Sequence, residues 1–143
     1  MKLSIGSDHA GFELKSELIN YLENLNHEVI DVGPSNNNRV DYPDYAHKLV
    51  NSILKNESEL GILICGSGNG ISMTANKHKN IRAALCWNSE IATLARNHND
   101  ANIVSLPARF ISFNEAKSII NSFLASSFEG GRHLNRVNKI NCD

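Results

Sequence analysis

Residues 61–72 read Gly61-Ile62-Leu63-Ile64-Cys65-Gly66-Ser67-Gly68-Asn69-Gly70-Ile71-Ser72, an apolar run closed by alternating glycines. A short unbroken apolar stretch, Gly61–Cys65, describes a buried strand. The glycines after it make a tight turn leading into a helix near Ser72–His78. Strand, turn and helix form the repeating unit of a parallel sheet, and the same rhythm recurs in both directions along the chain.

Upstream, Lys2–Gly6 is a first strand, followed by a helix with Leu14, Leu18, Leu22 and Leu25 on one face at spacings of four, four and three. Glu28–Val32 is a second strand, ended by Gly33-Pro34, and a helix covers Tyr45–Leu54. Between them Ser35-Asn36-Asn37-Asn38-Arg39 is a polar loop, too short for a domain linker and of the kind that borders a site. Downstream, Ile81–Leu85 and Ile103–Leu106 are the fourth and fifth strands. Helices follow them over Ser89–Asn97 and Asn114–Leu124, the latter with Ala116, Ile119, Ile120, Phe123 and Leu124 facing inward. The tail carries Gly130-Gly131 and a short stretch compatible with a helix. Five such units predict an α/β fold, a Rossmann-like three-layer α/β/α sandwich around a five-stranded parallel sheet. Residues 1–143 are expected to form one domain, with residues 127–143 as its C-terminal tail.

The composition is ordinary for a soluble globular chain, at 41% hydrophobic and 20% charged residues. A formal net charge of -1 provides no global field for nucleic acid or a membrane surface, so an anionic ligand must be held by a local cluster. No apolar run reaches the ~18–20 residues that span a bilayer, and nothing at Lys2 and beyond resembles a secretory leader. Three cysteines, an odd count without close pairs, argue against a disulfide framework and favour a reducing compartment. Cytoplasm is the expected location. No CxxC or closely spaced His/Cys set looks like a zinc site, and no metal is expected.

In a parallel α/β sheet, ligands bind at the carboxyl ends of the strands, where the strand order reverses. Asp8-His9 follows the first strand, Cys65 to Gly70 the third, and Arg109 the fifth. The glycine turn is not a dinucleotide fingerprint, because Ile71 stands where a third glycine belongs. Gly6 and Gly11 have Walker A spacing, but Phe12-Glu13 replace the required Lys and Ser/Thr. What remains is a set of backbone N–H groups suited to a phosphate or a developing enediolate, or else a tight turn that binds nothing. A thiol in the position of Cys65, beside a helix N-terminus, has its thiolate favoured, although most cysteines in apolar strands are inert.

Asp8-His9 fits either a helix cap or a pair of sugar-hydroxyl ligands. His98-Asn99-Asp100 ends a helix, with Asn99 a candidate left-handed cap and His98 a candidate proton shuttle. It lies at the opposite end of its unit and needs another route into the same site, for which a second subunit is one candidate. Arg132 and Arg136, four apart, project from one face of a short helix and suit a phosphate monoester or a solvated basic surface.

Taken together, the motifs resemble the B-type ribose-5-phosphate isomerases and their relatives acting on hexose 6-phosphates. The matching stretches are Gly6–Phe12, Asp41–Ala46, Gly61–Ser72, Ala75–Lys77, Ile81–Ala83, Arg96–Asn102 and Phe128–His133, in order from first strand to tail. The resemblance implies an aldose–ketose isomerase of the non-oxidative pentose phosphate pathway that interconverts ribose 5-phosphate and ribulose 5-phosphate without a cofactor. It implies Cys65 as the base between C1 and C2, and His98 as the group that opens the furanose ring. The backbone of Gly66, Ser67, Gly68, Asn69 and Gly70, with the Ser67 hydroxyl, would hold the enediolate. Ser67 departs mildly from the threonine common in the family. Asp8 and Asn99 would hold sugar hydroxyls beside Tyr42, and His9, Arg109, Arg132 and Arg136 would surround the phosphate. The partner implied is a second copy of the chain, in a homodimer or tetramer with shared sites. The alternatives are an allose- or galactose-6-phosphate isomerase of the same mechanism and a non-catalytic sugar-phosphate-binding module. A redox-thiol protein is disfavoured because Cys65 has no resolving partner nearby in sequence.

Overall fold

The computed structural model describes residues 1–142. Its strands are β1 (Lys2–Ser7), β2 (Glu28–Asp31), β3 (Leu60–Cys65), β4 (Ala83–Leu85) and β5 (Ile103–Pro107). Its helices are α1 (Phe12–Asn24), α2 (Tyr42–Leu54), α3 (Asn69–Ala75), α4 (Ser89–Asn99), α5 (Phe113–Ala125) and α6 (Arg132–Asn138). All strand pairings are parallel, in the order β2-β1-β3-β5-β4. From β1 the chain goes out to β2 on one side and returns to β3 on the other, so the order reverses between β1 and β3. The carboxyl ends of those two strands therefore flank the crevice where ligands bind in such sheets.

Alternation along the strands sorts the core into two layers. Leu3, Ile5, Ile62, Ile64, Val104 and Leu106 pack with buried side chains of α1, α4 and α5, among them Leu18, Ala95, Ile119 and Phe123. Leu63, Cys65 and Ile103 face the other way, against Ala46, Leu49 and Val50 of α2 and Ile71 and Ala75 of α3. Each fully buried leucine or isoleucine contributes about 1.5–3 kcal/mol relative to exposure. The α2 side is lined by small residues. A Cβ on Gly61 would lie 2.5 Å from Leu49 Cδ2 and 3.0 Å from Ile53 Cδ1, so glycine there lets α2 sit close to the sheet, and one on Gly6 would meet Val32 Cγ2 at 2.6 Å. Close seating of α2 fixes where its first residue, Tyr42, stands.

The element boundaries differ from the sequence expectation in instructive ways. Leu25 is not part of the α1 stripe: it is the C-cap residue and 47% exposed, while Leu14, Leu18 and Leu22 are buried. α3 starts at Asn69 and ends at Ala75 instead of running over Ser72–His78, because Gly68 serves as its N-cap in a left-handed conformation (φ 74°) and the helix follows at once. The left-handed residue ending α4 is Asp100 (φ 48°), and Asn99 is helical. A charge cluster fixes that turn: Asp100 accepts from Arg82 Nη2 at 3.0 Å and from Arg96 Nη1 at 3.2 Å, and Arg82 Nε donates to the Asp100 carbonyl at 2.8 Å.

The outer edge of β4 is covered at its first residue. The Asn76 side-chain amide accepts from the Ala83 N–H and donates to the Ala83 carbonyl, both at 2.8 Å.

Lys15 is fully buried, and its ammonium donates to Asp31 Oδ1 at 2.6 Å and to the Pro34 carbonyl at 2.7 Å. Asp31 is 42% exposed, so only the lysine depends on the pair for its solvation. Asp31→Ala is therefore expected to destabilise the protein by roughly 2–3 kcal/mol, because it leaves a buried charge short of a partner. Lys15→Met, which removes the buried charge at similar volume, should cost less. Urea unfolding of the two variants gives the order, and a larger loss for Lys15→Met would contradict this account.

Candidate functional site

Three strand ends build one side of the site. The Asp8 N–H donates to the Ile64 carbonyl at 3.1 Å, and the Ala108 N–H to the Cys65 carbonyl at 2.9 Å. The ladder thus continues past the strands and holds Asp8, Cys65 and the loop after β5 side by side. Cys65 is 4% exposed, and its sulfur accepts the Gly68 N–H at 3.2 Å. The bond ties the sulfur to the backbone of the glycine turn. Cys86, by contrast, is fully buried, and burial pushes its thiol up to about 12. All three cysteines are free thiols.

The glycine turn is closed in from two sides. Arg109 donates its N–H to the Gly66 carbonyl at 3.0 Å, and its guanidinium lies over Gly66, where an added Cβ would meet Nη1 at 3.0 Å. Tyr42 packs on Gly70, where an added Cβ would lie 2.5 Å from Cζ and 2.7 Å from the hydroxyl. At Gly68 the left-handed backbone and contacts to Leu85 and Leu106 require glycine. Ser67 and Asn69 are exposed, and the Ser67 hydroxyl accepts the Asn69 N–H at 3.3 Å.

Asp8 serves the local structure as well: one carboxylate oxygen accepts the Gly11 N–H at 3.1 Å, at the entry to α1. Its side chain has a second oxygen for a ligand. His9 is oriented by the end of the polar loop, with Nδ1 at 3.3 Å from the Val40 N–H and 3.2 Å from the Val40 carbonyl. The backbone of one residue thus offers this ring nitrogen a donor and an acceptor.

The remaining candidates lie elsewhere. His98 and Asn99 end α4, just before β5 begins at Ile103, whereas Cys65 pairs with Pro107 at the other end of β5. The two edges are about 13 Å apart at ~3.3 Å per residue. Arg132 and Arg136 on α6 belong with His98. The Glu129 N–H donates to the Asn97 carbonyl at 3.0 Å, and the His133 ring stacks on the His98 ring at 4.2 Å with 12° between planes. Burial, the His98 ring and the charges of Arg132 and Arg136 hold the His133 imidazole below its ordinary value, against the pull of Glu129. A cavity of about 640 Å³ between α3, β4 and the tail includes Asn99 but neither Cys65 nor the glycine turn. The candidates therefore fall into two groups on one chain: Asp8, His9, Tyr42, Cys65–Gly70 and Arg109 at one edge, and His98, Asn99, Arg132 and Arg136 at the other.

Sequence reading missed the grouping of His98, Glu129 and His133, whose ligating atoms all lie within 4.8 Å of one another. It also missed the Arg82–Asp100–Arg96 cluster that fixes the end of α4. Each contains one i,i+4 pair, Glu129 with His133 or Arg96 with Asp100, but is completed by a residue from another element.

A profile of the family described as ribose/galactose isomerase matches residues 3–140. The chain is 50% identical over 136 or more residues to known proteins such as the probable ribose-5-phosphate isomerase B of Mycoplasma pneumoniae, covering 95% of this chain and 90% of that one. Among solved structures, a ribose 5-phosphate isomerase from Thermotoga maritima is similar with a TM-score of 0.96 and 52% identity, covering 97% of this chain and 96% of that one. Ribose-5-phosphate isomerase B from Mycoplasma genitalium with bound ribulose-5-phosphate matches with a TM-score of 0.93 and 42% identity, covering 97% and 93%.

Proposed function

Because this chain belongs to the ribose/galactose isomerase family, we propose that it interconverts D-ribose 5-phosphate and D-ribulose 5-phosphate through an enediolate, a step of the non-oxidative pentose phosphate pathway. The observation that carries the catalytic reading is Cys65 itself. A nearly buried sulfur at a strand end accepts a backbone N–H and stands beside Asp8 and a glycine turn. Isomerisation removes a proton alpha to a carbonyl and returns it to the neighbouring carbon. The Cys65 thiolate takes the proton from C2 of the aldose, and the resulting thiol delivers it to C1. Backbone N–H groups of Gly66–Gly70, with the Ser67 hydroxyl, hold the enediolate oxygens. Asp8, Tyr42 and Asn99 position the sugar, and His98 moves the protons that open the furanose ring.

The active unit in this reading is a homodimer, or a tetramer built from such dimers. Each site takes Cys65 and its neighbours from one chain, and His98, Asn99, Arg132 and Arg136 from the other. The separation of the two groups by the length of β5 supports it. His9 and Arg109 meet the phosphate from one chain, and Arg132 and Arg136 from the other. Among the described residues no helix is long and apolar enough to cross a membrane. We place the enzyme in the cytoplasm, in keeping with its free thiols.

A coupled assay of purified protein on ribose 5-phosphate, allose 6-phosphate and galactose 6-phosphate tests the substrate. The pentose should have the highest kcat/KM, and a preference for either hexose would replace this reading with the six-carbon one. Saturable binding of all three without turnover would instead mark a binding module. Turnover should require no added metal or nicotinamide and survive EDTA. Loss in EDTA restored by one metal would contradict the mechanism.

Arg136→Ala tests the phosphate contact. Losing one charge-assisted contact should cost roughly 1.5–3 kcal/mol, or about ten- to a hundredfold in kcat/KM for ribose 5-phosphate. The much slower turnover of unphosphorylated ribose should be almost unchanged, in protein of unaltered melting temperature. Equal losses on both substrates would assign Arg136 to positioning the site or the dimer.

A further inference from the structure

We propose that His98, Glu129 and His133 form a site for a first-row transition metal of the zinc class, and that its occupancy stops turnover. Three donors of a common zinc set, two imidazoles and a carboxylate, converge from the end of α4, the tail and α6. Glu129 Oε2 lies 3.9 Å from His98 Nε2 and 3.8 Å from His133 Nε2. Both distances are too long for hydrogen bonds, yet nearly equal. The carboxylate thus faces two imidazole nitrogens and is bonded to neither, an arrangement that a shared cation completes.

The required movement is small. A tetrahedral ion with bonds of about 2.0–2.1 Å holds its ligand atoms roughly 3.3–3.4 Å apart, so the pairs must close by about 0.5–1.5 Å. The Glu129 side chain is 54% exposed and that of His98 36%, so both have room to turn, while His133 at 11% is the fixed point. Stacked parallel rings cannot aim both nitrogens at one ion, so His98 must tilt off His133 to ligate.

The surroundings select the kind of metal. Arg132 and Arg136 are close enough to act on His133 and oppose any cation. Calcium and magnesium, which take oxygen ligands, gain too little here, whereas zinc and its neighbours gain from two nitrogens. Capture takes His98, the ring-opening group of the proposed mechanism, out of service. The effect on turnover rests on that reading, but the binding does not.

Tag-free protein titrated with Co2+ and followed by visible absorption, then with Zn2+ by calorimetry, should show one tight ion per chain. Glu129→Gln and His133→Gln should each weaken it by roughly tenfold or more. His78→Gln should not, although His78 Nε2 and His47 Nδ1 meet at 2.7 Å and form the other imidazole pair. Zn2+ should inhibit reversibly, with relief on chelation. The Glu129→Gln enzyme, compared with its own metal-free rate, should resist by the same factor as its binding is weakened. Glu129 is exposed, so an unchanged melting temperature is expected for that variant. Equal binding by wild type and Glu129→Gln, or loss only with His78→Gln, would overturn the site. Binding that follows the variants without inhibition would overturn the regulatory claim and count against His98 as the ring-opening group, leaving the isomerase assignment to the substrate assay.

Discussion

Cys65→Ala should lower kcat for ribose 5-phosphate by roughly a hundred- to ten-thousandfold, the usual contribution of a positioned base, while ribose 5-phosphate still binds. The substitution removes one buried sulfur beside Leu63 and Ile71, so the loss of stability should be about 1 kcal/mol and the fold should survive. Cys65→Ser is the sharper version. A serine hydroxyl can still accept the Gly68 N–H, but it does not ionise near neutral pH, and turnover should fall just as far. Cys86→Ala is the control. Its thiol, held up to about 12, takes no part in chemistry, and kcat should not change. Turnover by stopped assay, substrate binding by calorimetry and a melting curve complete the set. A Cys65→Ala enzyme that keeps a tenth or more of wild-type kcat would remove Cys65 from the mechanism.

Mixing two inactive proteins should restore activity. In the proposed two-chain site, a Cys65→Ala chain still offers His98 to its partner, and a His98→Gln chain still offers Cys65. A mixed dimer therefore has one intact site and one doubly defective site. Random pairing makes half the dimers mixed, so re-assembled equimolar protein should reach about a quarter of wild-type activity. Each variant alone should remain at least roughly a hundredfold below wild type. Unfolding and refolding the mixture together, against the same proteins refolded separately and then combined, gives the comparison. No gain after joint refolding would place His98 and Cys65 in one chain's site or remove His98 from it.

Much of this was legible in the sequence because the decisive features are local. An apolar run that ends in alternating glycines needs no tertiary information to be read as strand, turn and helix. The rule that ligands gather at strand carboxyl ends then collected Asp8, Cys65 and Arg109. What escaped depended on contacts between elements or on helix ends that leave no side-chain mark. Asn99 looked like the left-handed cap, but Arg82 and Arg96 converge on Asp100 and give it that role. Leu25 continued the leucine spacing, yet α1 ends before it. The start of α3 was misplaced because a glycine N-cap leaves no side-chain mark. His98, Glu129 and His133 meet only because α6 folds back on α4.

The amide of Asn76 has a consequence for how the protein behaves in a crowd. An open sheet margin invites other chains to add strands, and the run Leu60–Cys65 is the kind of segment that feeds such growth while still unfolded. At the β4 margin, the Ala83 N–H and carbonyl are already taken by a side chain that imitates a neighbouring strand. The sheet is closed at Ala83 by that amide. A chain adding a strand there would first have to displace the Asn76 amide, so the sheet cannot simply be extended from Ala83.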